Sequence, residues 1–186
     1  MKVLKFGGSS VASPKNIEKV LNIVANSSAE QNVVVVVSAF GKTTNALIKG
    51  ATLASQKNEE YLKVLKELEN HHFEVVKELI PVKHQTPVNS HVKQLFNQLE
   101  TIYEGCFLLR ELSTKTLAKV SSFGELLSSY IIAKAANEEF TTVYKDSREL
   151  IVASDNYNNA IVDFPTTFKK CDEYFSTHSQ KVTIIP

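Results

Sequence analysis

The stretch VVVVVSAFGK, residues 33–42, decides the fold class. Five consecutive valines without a polar residue between them are typical of a strand buried on both faces, as in parallel sheets covered by helices. A shorter apolar run, VLKF at residues 3–6, ends in the small-residue loop GGSS, and Ser13-Pro14 then predicts the start of an amphipathic helix. Strand, helix, strand and a second helix after residue 43 predict an α/β protein with a parallel sheet.

The middle of the chain has the periodicity of helices. Apolar residues keep helical spacing over residues 59–79 and again over residues 88–112, and a segment bounded by prolines at 81–87 separates the two runs. We therefore expect a helical hairpin, at about residues 59–112, inserted into the α/β sheet. The remaining pattern predicts a helix at 122–136, strands at 141–144 and 149–152, a helix at 165–175 and a strand from residue 182.

Composition and charge argue against several classes of protein. Among 186 residues, 21 Lys and Arg nearly balance 20 Asp and Glu, which argues against a dedicated nucleic-acid binder. No apolar run approaches the ~20 residues that span a bilayer, and a strand begins at once without room for a secretory signal. Cys106 and Cys171 stand too far apart for a zinc spacing or a disulfide framework. We expect a cytoplasmic protein with no membrane or nucleic-acid partner.

Glycines mark the loops that could carry chemistry. Gly7 and Gly8 follow the first strand, Gly41 follows the second, and Gly124 is expected just before a helix. Loops at the carboxyl ends of adjacent parallel strands converge, and glycines there let backbone N–H groups approach phosphate oxygens. Lys5 stands at the mouth of the first loop, where its ammonium could reach a transferring phosphoryl group. By its spacing alone, a strand followed by two glycines is more often only a tight turn than a phosphate-binding loop.

The second loop offers hydroxyl groups but no nucleotide-binding P-loop. GKT at residues 41–43 would need a glycine five positions earlier, where Val36 stands within a strand, so a Walker A motif is excluded. Lys42 is then a solvated loop cation. Ser38, Thr43 and Thr44 could donate hydrogen bonds to a small anionic substrate, or serve only as loop and N-cap residues.

Two further patterns have a structural and a functional interpretation. Ser122 followed by Glu125 fits a capping box at the start of a helix, and the same carboxylate could instead receive a substrate ammonium group. His71 and His72 are adjacent and do not have the spacing of a zinc site, so we expect them to be packing or solvated residues. No metal site is predicted.

Taken together, four segments resemble the aspartate kinases. KFGGSSV at residues 5–11 is similar to the KFGGTSV signature of that family, with Ser9 in place of the usual threonine. VVVSA at 35–39, followed by Thr44-Asn45, resembles the family's second loop. SFGELLS at 122–128 resembles its SFGE-x-LS segment, and DSRELI at 146–151 its D-[AS]-R stretch. The four segments occur in the family's order and span most of the chain.

The resemblance implies the amino-acid-kinase fold, a three-layer α/β/α sandwich of the carbamate-kinase type. It implies that the side-chain carboxylate of L-aspartate attacks the γ-phosphate of ATP, bound with Mg²⁺, to give 4-phospho-L-aspartate in lysine, threonine and methionine biosynthesis. The matching motif implies that the ATP phosphates are bound by Lys5, Phe6, Gly7, Gly8 and Ser9, and that Lys5 is also catalytic. The aspartate pocket would be lined by Ser38, Thr44 and Glu125, with Glu125 meeting the α-ammonium group.

The resemblance also implies a longer parent protein. Family members continue beyond the strand that ends in IIP with a GRGGSD segment, an adenine-binding half and regulatory ACT domains, and we expect the parent to form homo-oligomers. We therefore expect residues 1–186 to be the N-terminal part of a catalytic domain and to be inactive alone. The long helical hairpin of this chain is similar to that of aspartokinases fused to homoserine dehydrogenase. The alternatives are a glutamate or acetylglutamate kinase of the same fold, or a non-catalytic binding or oligomerisation module.

Overall fold

A four-stranded parallel sheet organises the molecule in the computed structural model, which describes residues 1–157 and 159–186. The strands are β1 (Lys2–Phe6), β2 (Val33–Val37), β3 (Thr142–Tyr144) and β4 (Val182–Ile185), in the spatial order β1-β2-β4-β3. Every neighbouring pair is parallel, with Leu4 beside Val35 and Val35 beside Ile184. The α/β class and the parallel sheet expected from the valine run are confirmed.

Six α-helices connect the strands: α1 (Pro14–Glu30), α2 (Thr43–Ser55), α3 (Glu60–Leu79), α4 (Val82–Leu109), α5 (Thr114–Ala136) and α6 (Phe164–Thr177). Helices α3 and α4 form the expected hairpin. The predicted break at 81–87 is too long, because α4 begins at Val82 and contains Pro87. Pro87 has no N–H to donate to the carbonyl of residue 83, and its ring crowds that carbonyl, yet the helix continues through it. Gln85 Nε2 also donates to the Ile80 carbonyl at 2.7 Å and strengthens the junction.

The predicted strand at 149–152 is wrong. A single 3₁₀ turn, Ser147–Glu149, occupies its start because the Asp146 carboxylate accepts a hydrogen bond from the Arg148 N–H at 3.0 Å. Of the residues that follow, Leu150 is buried, Ile151 is exposed and Ala153 forms an isolated antiparallel bridge with Val162. The apolar run was therefore misinterpreted, since within the described residues it belongs to none of the four strands of the sheet.

Helices lie on both sides of the sheet. The connections from β1 to β2 and from β2 to β3 run in one direction across the sheet, whereas the connection from β3 to β4 runs in the opposite direction. Because such crossovers are right-handed, the helix in the last connection, α6, lies on the opposite face of the sheet from α1–α5. Side-chain contacts agree: Tyr144 packs edge-on against Tyr130 of α5, with ring centres 5.7 Å apart. Lys145 points the other way, and its Nζ lies 5.0 Å from the ring centre of Tyr174 in α6. The expected three-layer α/β/α arrangement is confirmed.

Most of the core lies between the sheet and helices α1–α5. Val35, Val37 and Ile184 are almost completely buried there, together with Ile17 of α1 and Leu127 of α5. The opposite face of β1 is open, and its Val3 is 62% exposed. Across residues 1–157 and 159–186, no helix has the length and apolarity needed to cross a membrane.

Candidate functional site

The loops that follow β1 and β2 lie side by side at the carboxyl edge of the sheet. The Ser38 N–H donates to the Phe6 carbonyl at 3.1 Å, and the Gly41 N–H donates to the Gly8 carbonyl at 3.3 Å. Gly8 is closely packed, because a Cβ atom there would lie 3.1 Å from the Ala39 carbonyl oxygen and would push the two loops apart by a few tenths of an ångström. The glycine at position 8 therefore permits the close approach of the two loops.

Helix α5 brings a carboxylate to the same place. Glu125 Oε1 accepts a hydrogen bond from the Ala39 N–H at 3.3 Å, and the Ser128 hydroxyl donates to the Ser38 carbonyl at 2.9 Å. Gly124 allows this contact, since a Cβ atom there would lie 2.7 Å from the Ala39 Cβ and 3.5 Å from Thr44 Oγ1. Glu125, Ser38 and Thr44, which come from distant parts of the sequence, thus converge on one loop.

The expected capping box at Ser122 and Glu125 is wrong. Helix α5 begins nine residues earlier, where the Ser113 hydroxyl oxygen accepts a hydrogen bond from the Thr116 N–H at 3.1 Å. Ser122 lies inside the helix, and its hydroxyl donates to the Lys119 carbonyl at 2.8 Å. Glu125 and Gly124 are therefore mid-helix residues, and the carboxylate is directed to the β2–α2 loop and not to its own helix terminus.

The first loop presents its polar groups outward. Lys5 and Ser9 are exposed, and a Cβ atom at Gly7 would have no other atom within 4 Å. The loop is closed by a turn in which the Ser10 N–H donates to the Gly7 carbonyl at 2.9 Å. It is further fixed by Asn16 of α1, whose Nδ2 donates to the Ser9 carbonyl at 3.1 Å. A ligand could therefore reach the backbone of Gly7 directly.

The N-terminus of α2 borders the second loop. The helix follows Lys42, which is exposed and provides no side-chain cap, and the Thr43 N–H donates to the Phe40 carbonyl at 2.9 Å. Thr43 is buried, whereas Thr44 is half-buried and faces Gly124. The interpretation of Thr43 and Thr44 as N-cap residues is therefore wrong, because both lie within the helix and the position before it is a lysine.

Sequence reasoning placed His72 correctly as a packing residue but missed what it contacts. His72 is fully buried, and its ring centre lies 5.4 Å from that of Phe40 in the β2–α2 loop and 5.4 Å from that of Phe96 in α4. This burial lowers the pKa of His72 to about 4, so the imidazole is neutral near pH 7. The contact joins residues 32 positions apart, and no local pattern signals it. The role of Ser128 was missed for the same reason.

Comparison of the sequence with known protein families identifies the class of protein. Residues 1–157 match the model of the Amino acid kinase family. Because that match covers most of the 186 residues, the chain belongs to the amino acid kinase family.

Relatives within this family are aspartokinases. The chain is 28% identical over 174 residues to a bifunctional aspartokinase/homoserine dehydrogenase of Buchnera aphidicola, covering 91% of this chain and 21% of that protein. It is 37% identical over 141 residues to the chloroplastic aspartokinase 1 of Arabidopsis thaliana, covering 73% and 23%. The fold matches E. coli aspartokinase III in complex with aspartate and ADP, with a TM-score of 0.86 at 20% identity, covering 98% of this chain and 40% of that one. The chain thus spans about a fifth of the length of the two sequence relatives.

Proposed function

We propose that this chain forms the acceptor-binding and phosphate-binding part of an aspartate kinase, which transfers the γ-phosphate of ATP to the side-chain carboxylate of L-aspartate. The observation that carries the proposal is the convergence of the Gly7-Gly8 loop, the Ser38–Thr44 loop and Glu125 at one edge of the sheet. A phosphate-binding loop next to an amino-acid pocket is the arrangement that such a transfer needs. The names of the sequence relatives support the choice of aspartate.

Glu125 is assigned to the α-ammonium group of the substrate. Among the described residues, only its Oε1 has a hydrogen-bond partner, the Ala39 N–H, so Oε2 remains available for a cation. Pairing a half-buried carboxylate with an ammonium group provides both affinity and orientation. The hydroxyl groups of Ser38, in that loop, and of Thr44, which faces Gly124, are assigned to the remaining polar groups of the amino acid.

Lys5 and the Gly7-Gly8 backbone are assigned to the transferring phosphoryl group. An oxygen of the aspartate side chain forms a bond to the γ-phosphorus while the bond from that phosphorus to the β–γ bridging oxygen breaks, and ADP leaves. Negative charge is spread over the phosphoryl oxygens, where a lysine ammonium and backbone N–H groups stabilise it. Mg²⁺ arrives with ATP as part of the substrate and neutralises further phosphate charge.

The same proposal places the reaction at the start of amino-acid biosynthesis that leads to lysine, threonine and methionine. Cys106 and Cys171 are free thiols, which supports a reducing compartment such as the cytoplasm.

The experiment is an acceptor panel on the full product of the gene. ADP release with Mg-ATP is measured with L-aspartate, L-glutamate or N-acetyl-L-glutamate as acceptor, and hydroxylamine traps the acyl phosphate as a hydroxamate. We expect product only with L-aspartate. Hydroxamate formation from glutamate or N-acetylglutamate would favour another kinase of the same fold. No ADP release with any acceptor would favour a non-catalytic module.

A further inference from the structure

Phe40 is the side chain that anchors the β2–α2 loop to the rest of the protein. It is 1% exposed, and the residues on either side of it make the contacts that assemble the site. The Ala39 N–H donates to Glu125, and the Gly41 N–H donates to the Gly8 carbonyl. The Phe40 ring is therefore flanked by two backbone N–H groups that hold the candidate site together, and repacking of the ring can shift both.

His72 of α3 is the residue against which Phe40 packs. The two rings are 5.4 Å apart at the centre and tilted by 33°, and Phe96 of α4 lies on His72 with a centre distance of 5.4 Å and an angle of 66°. His71 adds an edge-on contact to Phe40 at 6.5 Å. The hairpin thus reaches the candidate site through one imidazole ring that lies between two phenyl rings.

The orientation of this imidazole is fixed. Nδ1 lies 2.7 Å from the Leu68 carbonyl, which can only accept, so Nδ1 carries the proton and donates. Nε2 is buried and has no hydrogen-bond partner in residues 1–157 and 159–186. A buried acceptor without a partner costs stability that an apolar side chain would not cost. A phenyl ring at this position would avoid that cost while it keeps an aromatic contact with Phe40.

We propose that His72 is a positioning residue for the acceptor site: its aromatic ring keeps Phe40, and thus the Ala39 N–H, in place against Glu125. The inference rests on the proposed function, because it assigns to Glu125 the binding of the acceptor amino acid. The Ala39–Glu125 hydrogen bond is long at 3.3 Å, so a small displacement of the loop breaks it. Loss of that bond frees the carboxylate to rotate away from the substrate ammonium.

Three variants of His72 separate the ring from the hydrogen bond. His72→Ala removes both, His72→Asn retains a donor for the Leu68 carbonyl without a ring, and His72→Phe retains a ring without the donor. We expect His72→Ala and His72→Asn to raise the KM for L-aspartate about tenfold, with kcat and the KM for ATP changed less than about threefold. His72→Phe should remain within about threefold of the wild-type KM. Leu99→Ala, a buried change in α4, is the control and should lower Tm without raising the KM for aspartate.

A second readout does not depend on activity. In the 186-residue chain without substrate, exchange of the Ala39 amide hydrogen with D₂O should be faster in His72→Ala and in Phe40→Leu, because the bond to Glu125 is weakened, and should stay near the wild-type rate in His72→Phe and Leu99→Ala. These exchange rates test His72 even if the preferred acceptor is not aspartate, so failure of the two proposals can be distinguished. An unchanged exchange rate of the Ala39 amide in folded His72→Ala would overturn the inference. So would an equal rise in KM in Leu99→Ala.

Discussion

Replacing Gly124 with alanine tests how closely α5 approaches the candidate site. A Cβ atom at Gly124 would lie 2.7 Å from the Ala39 Cβ, a distance that real Cβ atoms essentially never show. Ala39 is buried and its methyl group cannot rotate away, so either α5 or the β2–α2 loop must move. Such overpacking costs about 1–3 kcal/mol. Because Gly124 is inside a helix, alanine also returns about 1 kcal/mol of helix propensity.

Gly105 of α4 provides the matched control. It too lies inside a helix, but a Cβ atom there would meet nothing within 4 Å, so Gly105→Ala should stabilise the protein by about 1 kcal/mol. The propensity gain is common to both variants, and the difference in free energy of unfolding between them isolates the overpacking cost of about 1–3 kcal/mol.

Urea unfolding followed by circular dichroism measures both free energies on the 186-residue chain. For a chain of this size, each kcal/mol corresponds to about 2–4 °C in Tm, so the two variants should also be clearly separated in a thermal scan. Gly124→Ala should in addition weaken binding of the acceptor amino acid, because the displaced loop carries Ser38 and leads directly into Thr44 of α2. If Gly124→Ala is as stable as Gly105→Ala, the close contact between α5 and the loop does not exist.

Three further changes have equally specific outcomes. Lys5→Ala should lower kcat of the gene product at least a hundredfold, which corresponds to about 3 kcal/mol, with little change in KM. Lys2→Ala, on the same strand, is the control and should leave kcat unchanged. An unchanged kcat in folded Lys5→Ala would remove Lys5 from the mechanism. Ser128→Ala leaves the Ser38 carbonyl without its donor and should cost about 1–3 kcal/mol in urea unfolding, and a loss below the error of the measurement would contradict that contact. Burial lowers the pKa of His72 from a usual 6.5 to about 4, so as the pH falls the unfolded chain binds this proton before the folded chain does. The free energy of unfolding should therefore fall by about 3 kcal/mol between pH 6.5 and pH 4 through this residue. His72→Phe should lose that part of the pH dependence.

Local patterns predicted the elements whose side-chain periodicity is set by burial. The valine run became β2, and the two apolar stripes became α3 and α4. The errors occurred where a local pattern fits two structures. The Ser122–Glu125 pattern is the same at a helix start and in a helix interior, and only Ser113 reveals the true start. The apolar run at 149–152 has strand composition, but the turn formed by Asp146 and Arg148 ends the strand before it.

The site was only partly visible in the sequence. Glycines after two strands predicted that the first two loops meet, because parallel strands end at the same edge of a sheet. The direction of Glu125, the contact between His72 and Phe40, and the bond from Ser128 to Ser38 depend on how α3 and α5 pack, which no local pattern encodes. The roles in binding aspartate and ATP came from the resemblance to aspartate kinases and stay proposals.

The central claim is that Glu125 binds the ammonium group of the acceptor amino acid. Glu125→Gln tests it most directly, since the Gln side-chain oxygen can still accept from the Ala39 N–H while the negative charge is lost. Removing one partner of a desolvated ion pair typically costs about 2–5 kcal/mol, so the KM for L-aspartate should rise at least thirtyfold in the full gene product. The KM for ATP and the melting temperature should hardly change. An unchanged KM for aspartate, with or without a fall in the melting temperature, would show that Glu125 only holds the loop and does not bind the substrate.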